Sequence, residues 1–392
     1  MSFPRFGLVA ATLWLVLGCE GEPTYTDGLP PRPMRGEWID VLPGGDTVCA
    51  RGDAYRFYVR GGDPDKILID FQGGGACWNA STCGFADSLF SDTTGTAAEF
   101  QALLANGTIG GVYSDAADAP FRDFTLIHIP YCTGDIHWGN ARVEYGPDLT
   151  IEHRGFINAS AALDWIYTRY PNANRIYVNG CSAGAYGAVL HSAYIAQQYP
   201  DARIAVLADS GAGIITDSFL SDSLPNWNAQ PALPPFVPGL DLPLDQLALP
   251  DLYVAIGRAF PEMRLAQTAT QFDNDQIFFY GAMGGDPNDW TGLFRQSLTE
   301  IDGQIDNFTY YVPPGSVHCV TPYPYFDRRE VNGVRLADWV DELVLGDAAP
   351  APVTCQGADC CSDSECDMCL AGSGEAQCRF CETWPQAWAV CE

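Results

Sequence analysis

Gly180-Cys181-Ser182-Ala183-Gly184 is the stretch of this chain best suited to covalent chemistry. It follows a strand-like run, Arg175 to Asn179, and precedes a small-residue run with helical character, Ala185 to Gln198. Strand, G-x-S-x-G and helix in that order read as a nucleophile elbow, a turn so tight that only small residues fit beside the serine. Ser182 is therefore the candidate nucleophile. The N–H of Ala183, at the start of the helix, is a candidate oxyanion donor.

A serine nucleophile needs a base and an orienting acid, which in hydrolases with such an elbow follow it in the chain as acid and then histidine. Only His191 and His318 follow Ser182. His191 falls within the elbow helix and reads as a packing or surface residue. His318 follows the strand-like run Asn307 to Val312, where a base belongs. Asp209, Asp273 and Asp275 are the candidate acids, Asp209 reading better as a support for the site. Gly73-Gly74-Gly75 after the strand Lys66 to Phe71 supplies further oxyanion donors at Gly75 or Ala76.

The elements that must hold these residues alternate between strand and helix. Further strands are expected over 54–59, 124–130, 204–209 and near 267–273, with a helix over 158–167. Asp63-Pro64-Asp65 reads as a turn and Asn307 to Val312 as the last strand. The pattern predicts a mostly parallel α/β sheet with helices on both faces. Residues 222–251, with seven prolines among Trp227, Leu and Phe, read as an irregular lid.

Composition bounds the rest. The chain has 392 residues, a formal charge of −29 and 15 cysteines. Such an acidic chain is not expected to bind nucleic acid, and this many cysteines point to an oxidising compartment. Phe6 to Leu17 is apolar and leads into Val16-Leu17-Gly18-Cys19, a lipobox-like ending, so residues 1–19 read as a lipoprotein-type signal with Cys19 lipidated. An ordinary signal peptide is the alternative. Residues 20–36 read as a flexible tether, 37–347 as the catalytic body, and 348–392 as a linker and Cys-rich tail. Eight cysteines from Cys355 to Cys391 suit disulfides better than zinc, given no histidine among them. Cys77 and Cys83 are close enough in sequence for a local bridge. Cys181, at the buried position before the serine, is the one whose pairing stays open.

Five stretches together resemble the pectin acetylesterase family, Notum-like serine esterases included. They are Asp70 to Cys77 with Cys83, Ile129 to Asp135, Gly180 to Gly184, Phe272 to Gln276, and Val317 to Cys319; His153-Arg154-Gly155 also fits. The resemblance implies an α/β-hydrolase fold and a triad of Ser182, Asp273 and His318, preferring Asp273 to Asp275. It implies oxyanion donors near Gly75, Ala76 and Ala183. Ala76 stands where the family usually has Trp, which bears on the pocket wall. The expectation is an exported serine carboxylesterase without metal or organic cofactor, acting on an acetylated polysaccharide or small ester and reaching a membrane only through Cys19. A polyanionic substrate would call for Arg154, Arg264, Arg328 and Arg329 to gather at the site mouth. The alternatives are a long-chain acyl esterase, thioesterase or depolymerase with the same triad, and a non-catalytic surface binding protein on a hydrolase scaffold.

Overall fold

The computed structural model describes residues 26–84 and 89–355. Cys19, the signal segment and the tail cysteines beyond Cys355 lie outside the described residues. The first strands are β1 (Trp38–Val41), β2 (Phe57–Arg60), β3 (Asp63–Phe71) and β4 (Phe124–Ile129). A hairpin of β5 (Ala141–Gly146) and β6 (Leu149–His153) stands apart. Then come β7 (Arg175–Cys181), β8 (Arg203–Asp209), β9 (Arg264–Thr268) and β10 (Phe308–Val312). A small hairpin of β11 (Glu330–Val331) and β12 (Val334–Arg335) precedes β13 (Val353–Thr354).

Nine of these strands form one sheet in the order β1-β2-β4-β3-β7-β8-β9-β10-β13. β1, β2 and β4 pair antiparallel, and from β4 to β13 every pairing is parallel. This is the α/β-hydrolase-like sheet that the strand and helix alternation predicts. A parallel sheet covered on both faces needs apolar residues on both sides of each strand, and the central residues of β3, β4, β7 and β8 are buried without alternation.

The helices are α1 (Ala80–Gly84), α2 (Ala97–Ala105), α3 (Gly155–Arg169), α4 (Ala183–Gln198), α5 (Asp217–Asp222), α6 (Leu249–Ala259), α7 (Asn274–Ala282), α8 (Trp290–Asp302) and α9 (Leu336–Leu345). Helix α4 is buried on nearly every side, which explains its alanines and glycines. A side chain at Gly187 would meet the ring of His137 at 2.9 Å, so only glycine lets the helix sit this close.

Three expectations change. Asp63 and Pro64 open β3 instead of forming a free turn, and the extra residues are taken up as an irregularity between Asp63 and Ile67. The last strand of the sheet is β13, not β10. It pairs with β10 only after residues 348–352 have packed down, with Thr309 Oγ1 donating to the Pro350 carbonyl and Trp339 Nε1 to the Ala351 carbonyl. The second half of the expected tether is also tied down. Arg169 donates to both oxygens of Asp27 at 2.7 and 2.8 Å, and the Pro30 carbonyl accepts from Trp165 Nε1.

Residues 222–251 do form an irregular covering, three short 3-10 turns leading into α6. It is held by packing: Trp227 is buried and its Nε1 donates to the Cys77 carbonyl at 2.8 Å. Among the described residues no helix is long and apolar enough to cross a membrane.

Candidate active site

Ser182 sits between the end of β7 and the start of α4 with φ 56° and ψ −124°. That conformation is costly for a residue with a Cβ and persists only where its surroundings fix it. Here the Ser182 N–H donates to the Asp209 carbonyl at 2.8 Å, and small residues clear the space around the turn. A Cβ at Gly73 would meet Ser182 Cβ at 2.8 Å, and one at Gly184 would run into the Phe71 carbonyl.

His318 follows β10 and lines the same pocket as Ser182. Its Nδ1 lies 2.8 and 3.0 Å from the two carboxylate oxygens of Asp273. Asp273 is fully buried and caps α7. Gln276 donates to one Asp273 oxygen through its backbone N–H and to the other through Nε2, both at 3.0 Å, and its own Oε1 accepts from the Ala212 N–H. The carboxylate is thereby held in one orientation. D-x-x-Q at a helix start is a readable capping pattern, so the sequence already carried the signal for Gln276 as a support.

The other two candidate acids take different places. Asp209, at the end of β8, is buried and accepts from the Val320 N–H, the Thr321 N–H and the Thr321 hydroxyl, so it holds the loop after His318. Burial pushes its carboxyl above the ordinary range despite those three donors. Asp275 lies on the far side of the imidazole, its Oδ2 3.9 Å from His318 Nε2. Burial alone would lower the His318 pKa. The charge and hydrogen bond of Asp273, with the charges of Asp275 and Asp209, outweigh it and push the imidazole up to about 9.

Of the expected oxyanion donors, Gly75, Ala76 and Ala183 all line the pocket beside Ser182. The Ala76 N–H, however, donates to the Leu89 carbonyl at 3.1 Å. Ala183 is the first residue of α4, whose leading N–H groups have no partner within the helix. The Gly75 backbone has φ 73°, and a Cβ there would run into the Leu89 carbonyl, so glycine is required.

Cys181 and Cys319 are joined by a disulfide, which closes the question of Cys181. Cys77 pairs with Cys83 as expected, and Cys49 with Cys132. The sulfurs of Cys77 and Cys83 lie near His153, but their bond to each other leaves no thiolate to ligate a metal. His191 is a packing residue, stacked between Phe71 and Phe156.

Sequence reading missed two buried networks that fix the site from below. Asp70, just before the glycine loop, accepts from Tyr113, His128 and Asn179 and so locks the ends of β3, β4 and β7 together. Asp135 accepts from the Thr133 hydroxyl and the Gly155 N–H, and His153 Nδ1 lies 2.9 Å from the Thr133 carbonyl. The stretches 129–135 and 153–155 therefore meet in space.

Ser182 and His318 border two cavities. One, of about 70 Å³, is walled by apolar side chains such as Trp78, Ile215, Phe219, Trp227 and Phe279. Trp78, Phe219 and Trp227 line this cavity together with Ala76. The other, of about 530 Å³, is more polar and includes Gln72, Ser91, Asp275 and Tyr323. No Lys or Arg lines either cavity among the described residues. Arg154 instead pairs with Glu152, Arg264 donates to carbonyls at the end of α9, and Arg329 donates to the Pro314 carbonyl.

Residues 43–221 match the family model described as pectinacetylesterase. This part of the chain resembles the pectin acetylesterase family. Pectin acetylesterase 11 of Arabidopsis thaliana is 25% identical over 170 residues, 42% of each chain. Pectin acetylesterase 7 of the same plant is 26% identical over 154 residues, 37% of each chain. The chain thus matches about two-fifths of the length of these curated relatives. Among solved structures, the Wnt deacylase Notum from Drosophila shares the fold, with a TM-score of 0.58 and 16% identity over 80% of this chain and 95% of that one. The pectin acetylesterase segment contains the glycine loop and Ser182 and stops before Asp273 and His318, so the fold carries the likeness through the second half.

Proposed function

We propose that this protein is a serine carboxylesterase that removes short acyl groups through an acyl-enzyme. One arrangement carries the reading: Ser182, at a positive φ between strand and helix, borders the same apolar cavity as His318, whose other nitrogen is bonded to the buried Asp273. The family supports it, because the matched relatives are named as pectin acetylesterases.

In this mechanism Ser182 Oγ attacks the ester carbonyl while His318 Nε2 takes its proton. Asp273 holds the imidazole in the tautomer that exposes Nε2 and stabilises the imidazolium as it forms. The N–H groups of Gly75 and Ala183 receive the oxyanion; Ala76 joins them only by giving up Leu89. His318 then returns the proton to the leaving alcohol, and water repeats the sequence to free the acid.

The acyl group enters the apolar cavity. Its space is only about 70 Å³ and its walls are apolar. This supports acetyl and disfavours long chains. The alcohol lies in the larger cavity, where the lack of cationic side chains supports a neutral acetylated polysaccharide or small ester over a polyuronate.

The three disulfides that join described residues to one another support export, with Cys19 carrying a lipid at the cell envelope. Mass spectrometry of the mature N-terminus tests that part; an unmodified start elsewhere refutes it. The esterase reading is tested by labelling with a serine-directed fluorophosphonate and by turnover of 4-nitrophenyl acetate. Both are expected, and both should vanish in Ser182→Ala. Labelling elsewhere, or none, would leave a non-catalytic hydrolase scaffold.

A further inference from the structure

Asp275 has no part in the triad, yet it faces the atom that moves the proton. It is the second residue of α7. Its Oδ2 stands 3.9 Å from His318 Nε2, with half of its side chain exposed (51%). It lines the larger cavity together with Ser182 and His318. An acid in the first turn of a helix is favourable in itself. That accounts for a carboxylate at this place, but not for its pointing at Nε2 and the cavity, and the two effects make different predictions.

The ester's leaving oxygen must lie within hydrogen-bond reach of Nε2 to receive its proton. The substituents on the alcohol then fall beside Asp275, well inside the roughly 10 Å over which charge is felt at 0.1 M salt. Nothing cationic lines the cavity to offset this charge among the described residues. The groups that face the imidazole are Asp273 and Asp275 from α7, Asp209 from the end of β8, and Ser182 from the elbow; Tyr323 lines the same cavity.

We propose that Asp275 is a specificity-determining residue for the alcohol half of the substrate: it admits esters whose alcohol is neutral or cationic and turns away those with a carboxylate next to the ester. The proposal rests on the esterase reading above. The same charge favours the imidazolium over the neutral base, so Asp275 also sets the pH at which His318 becomes competent.

Three acetates of matched shape test this: phenyl acetate, 3-carboxyphenyl acetate and 3-(trimethylammonio)phenyl acetate. Comparing each ratio between the wild type and Asp275→Asn cancels the intrinsic reactivity of the esters. In Asp275→Asn the anionic ester should gain kcat/KM relative to the neutral one, and the cationic ester should lose, each on the order of three- to tenfold at low salt and less at high salt. Asp275→Glu should keep the wild-type order. The rising limb of the pH profile and the His318 titration seen by NMR should both move to lower pH in Asp275→Asn. A helix-stabilising role alone would move neither. Unchanged charge ratios in an enzyme that still hydrolyses phenyl acetate would overturn the proposal and leave the esterase reading standing. A wild type that hydrolyses none of the three and takes up no fluorophosphonate would overturn both.

Discussion

Cys181 and Cys319 form a disulfide across a sequence separation of 138 residues, one immediately before Ser182 and the other immediately after His318. Ser182 comes from the middle of the body and His318 from near its end, and among the described residues this is the only disulfide between their two segments. Non-covalent contacts reinforce it: the Cys319 N–H donates to Ser210 Oγ at 2.9 Å, and Asp209 holds Val320 and Thr321.

Replacing both cysteines, Cys181→Ala with Cys319→Ala, should lower stability by about 2–4 kcal/mol, as for other long loops closed by a disulfide. It should cost kcat more than KM, because the loss falls on the alignment of Ser182 and His318. Denaturant unfolding and steady-state kinetics check this. An unchanged kcat would show that Asp209 and Ser210 suffice to hold the loop.

Asp273→Asn should reduce kcat about 10⁴-fold, the effect of turning the histidine to the wrong tautomer. Asp275→Asn should stay within about tenfold of the wild type on a neutral ester, since one charge at 3.9 Å from Nε2 tunes the base without orienting it. The reverse ranking would reassign the acid.

The histidines predict a stability maximum near neutral pH. His318 is raised from 6.5 to about 9, so the folded state binds its proton more tightly than the unfolded one. That stabilisation is full below 6.5 and is lost as pH rises through 9, amounting to roughly 3 kcal/mol. Burial lowers His137 and His153 to about 4 and His191 to about 3. For these the sign reverses: stability is full above 6.5 and falls as pH drops toward 4. Burial raises Asp135 to about 6 and also lifts Asp164, Asp209, Asp275, Asp327 and Asp341, and these carboxylates oppose the three histidines on the acid side. Thermal melts from pH 4 to 10 check the shape. The kcat/KM profile should rise with pH toward about 9, because the base must be neutral to accept the serine proton.

The small acyl cavity predicts that nitrophenyl ester hydrolysis falls steadily from acetate to octanoate. Phe219→Ala should shift the preference toward butyrate or hexanoate, because Phe219 packs edge-on to Trp78 at 5.1 Å and its removal opens that wall. Turnover across the ester series checks it. A maximum at eight carbons in the wild type would point to a lipid-acyl pocket.

The elbow, the strands around it and the covering segment were legible because each rests on local chemistry: a turn that admits only small residues, apolar runs, prolines among aromatics. Spacing narrowed the acid to three, and only the family resemblance preferred Asp273, since Asp209, Asp273 and Asp275 differ in what they face after folding. β13 is two residues long and has no periodicity to read; its place depends on β10, some forty residues earlier. The hold of Arg169 on Asp27 spans 142 positions and left a Pro-rich stretch looking like a free tether. The partner of Cys181 was likewise hidden, because connectivity among many cysteines is not encoded in spacing.

The clamp of Arg169 on Asp27 also gives the protein a front and a back. Arg169 ends α3, just before β7 begins, so it lies at the end of the sheet opposite Ser182, which follows the end of β7. Asp27 and the Pro30 carbonyl are held at that far end. β13 runs parallel to β10 and finishes at Thr354, on the end where the strands deliver Ser182 and His318. Asp27 and Thr354 are therefore held at opposite ends of the sheet, and only Thr354 lies on the side of Ser182 and His318.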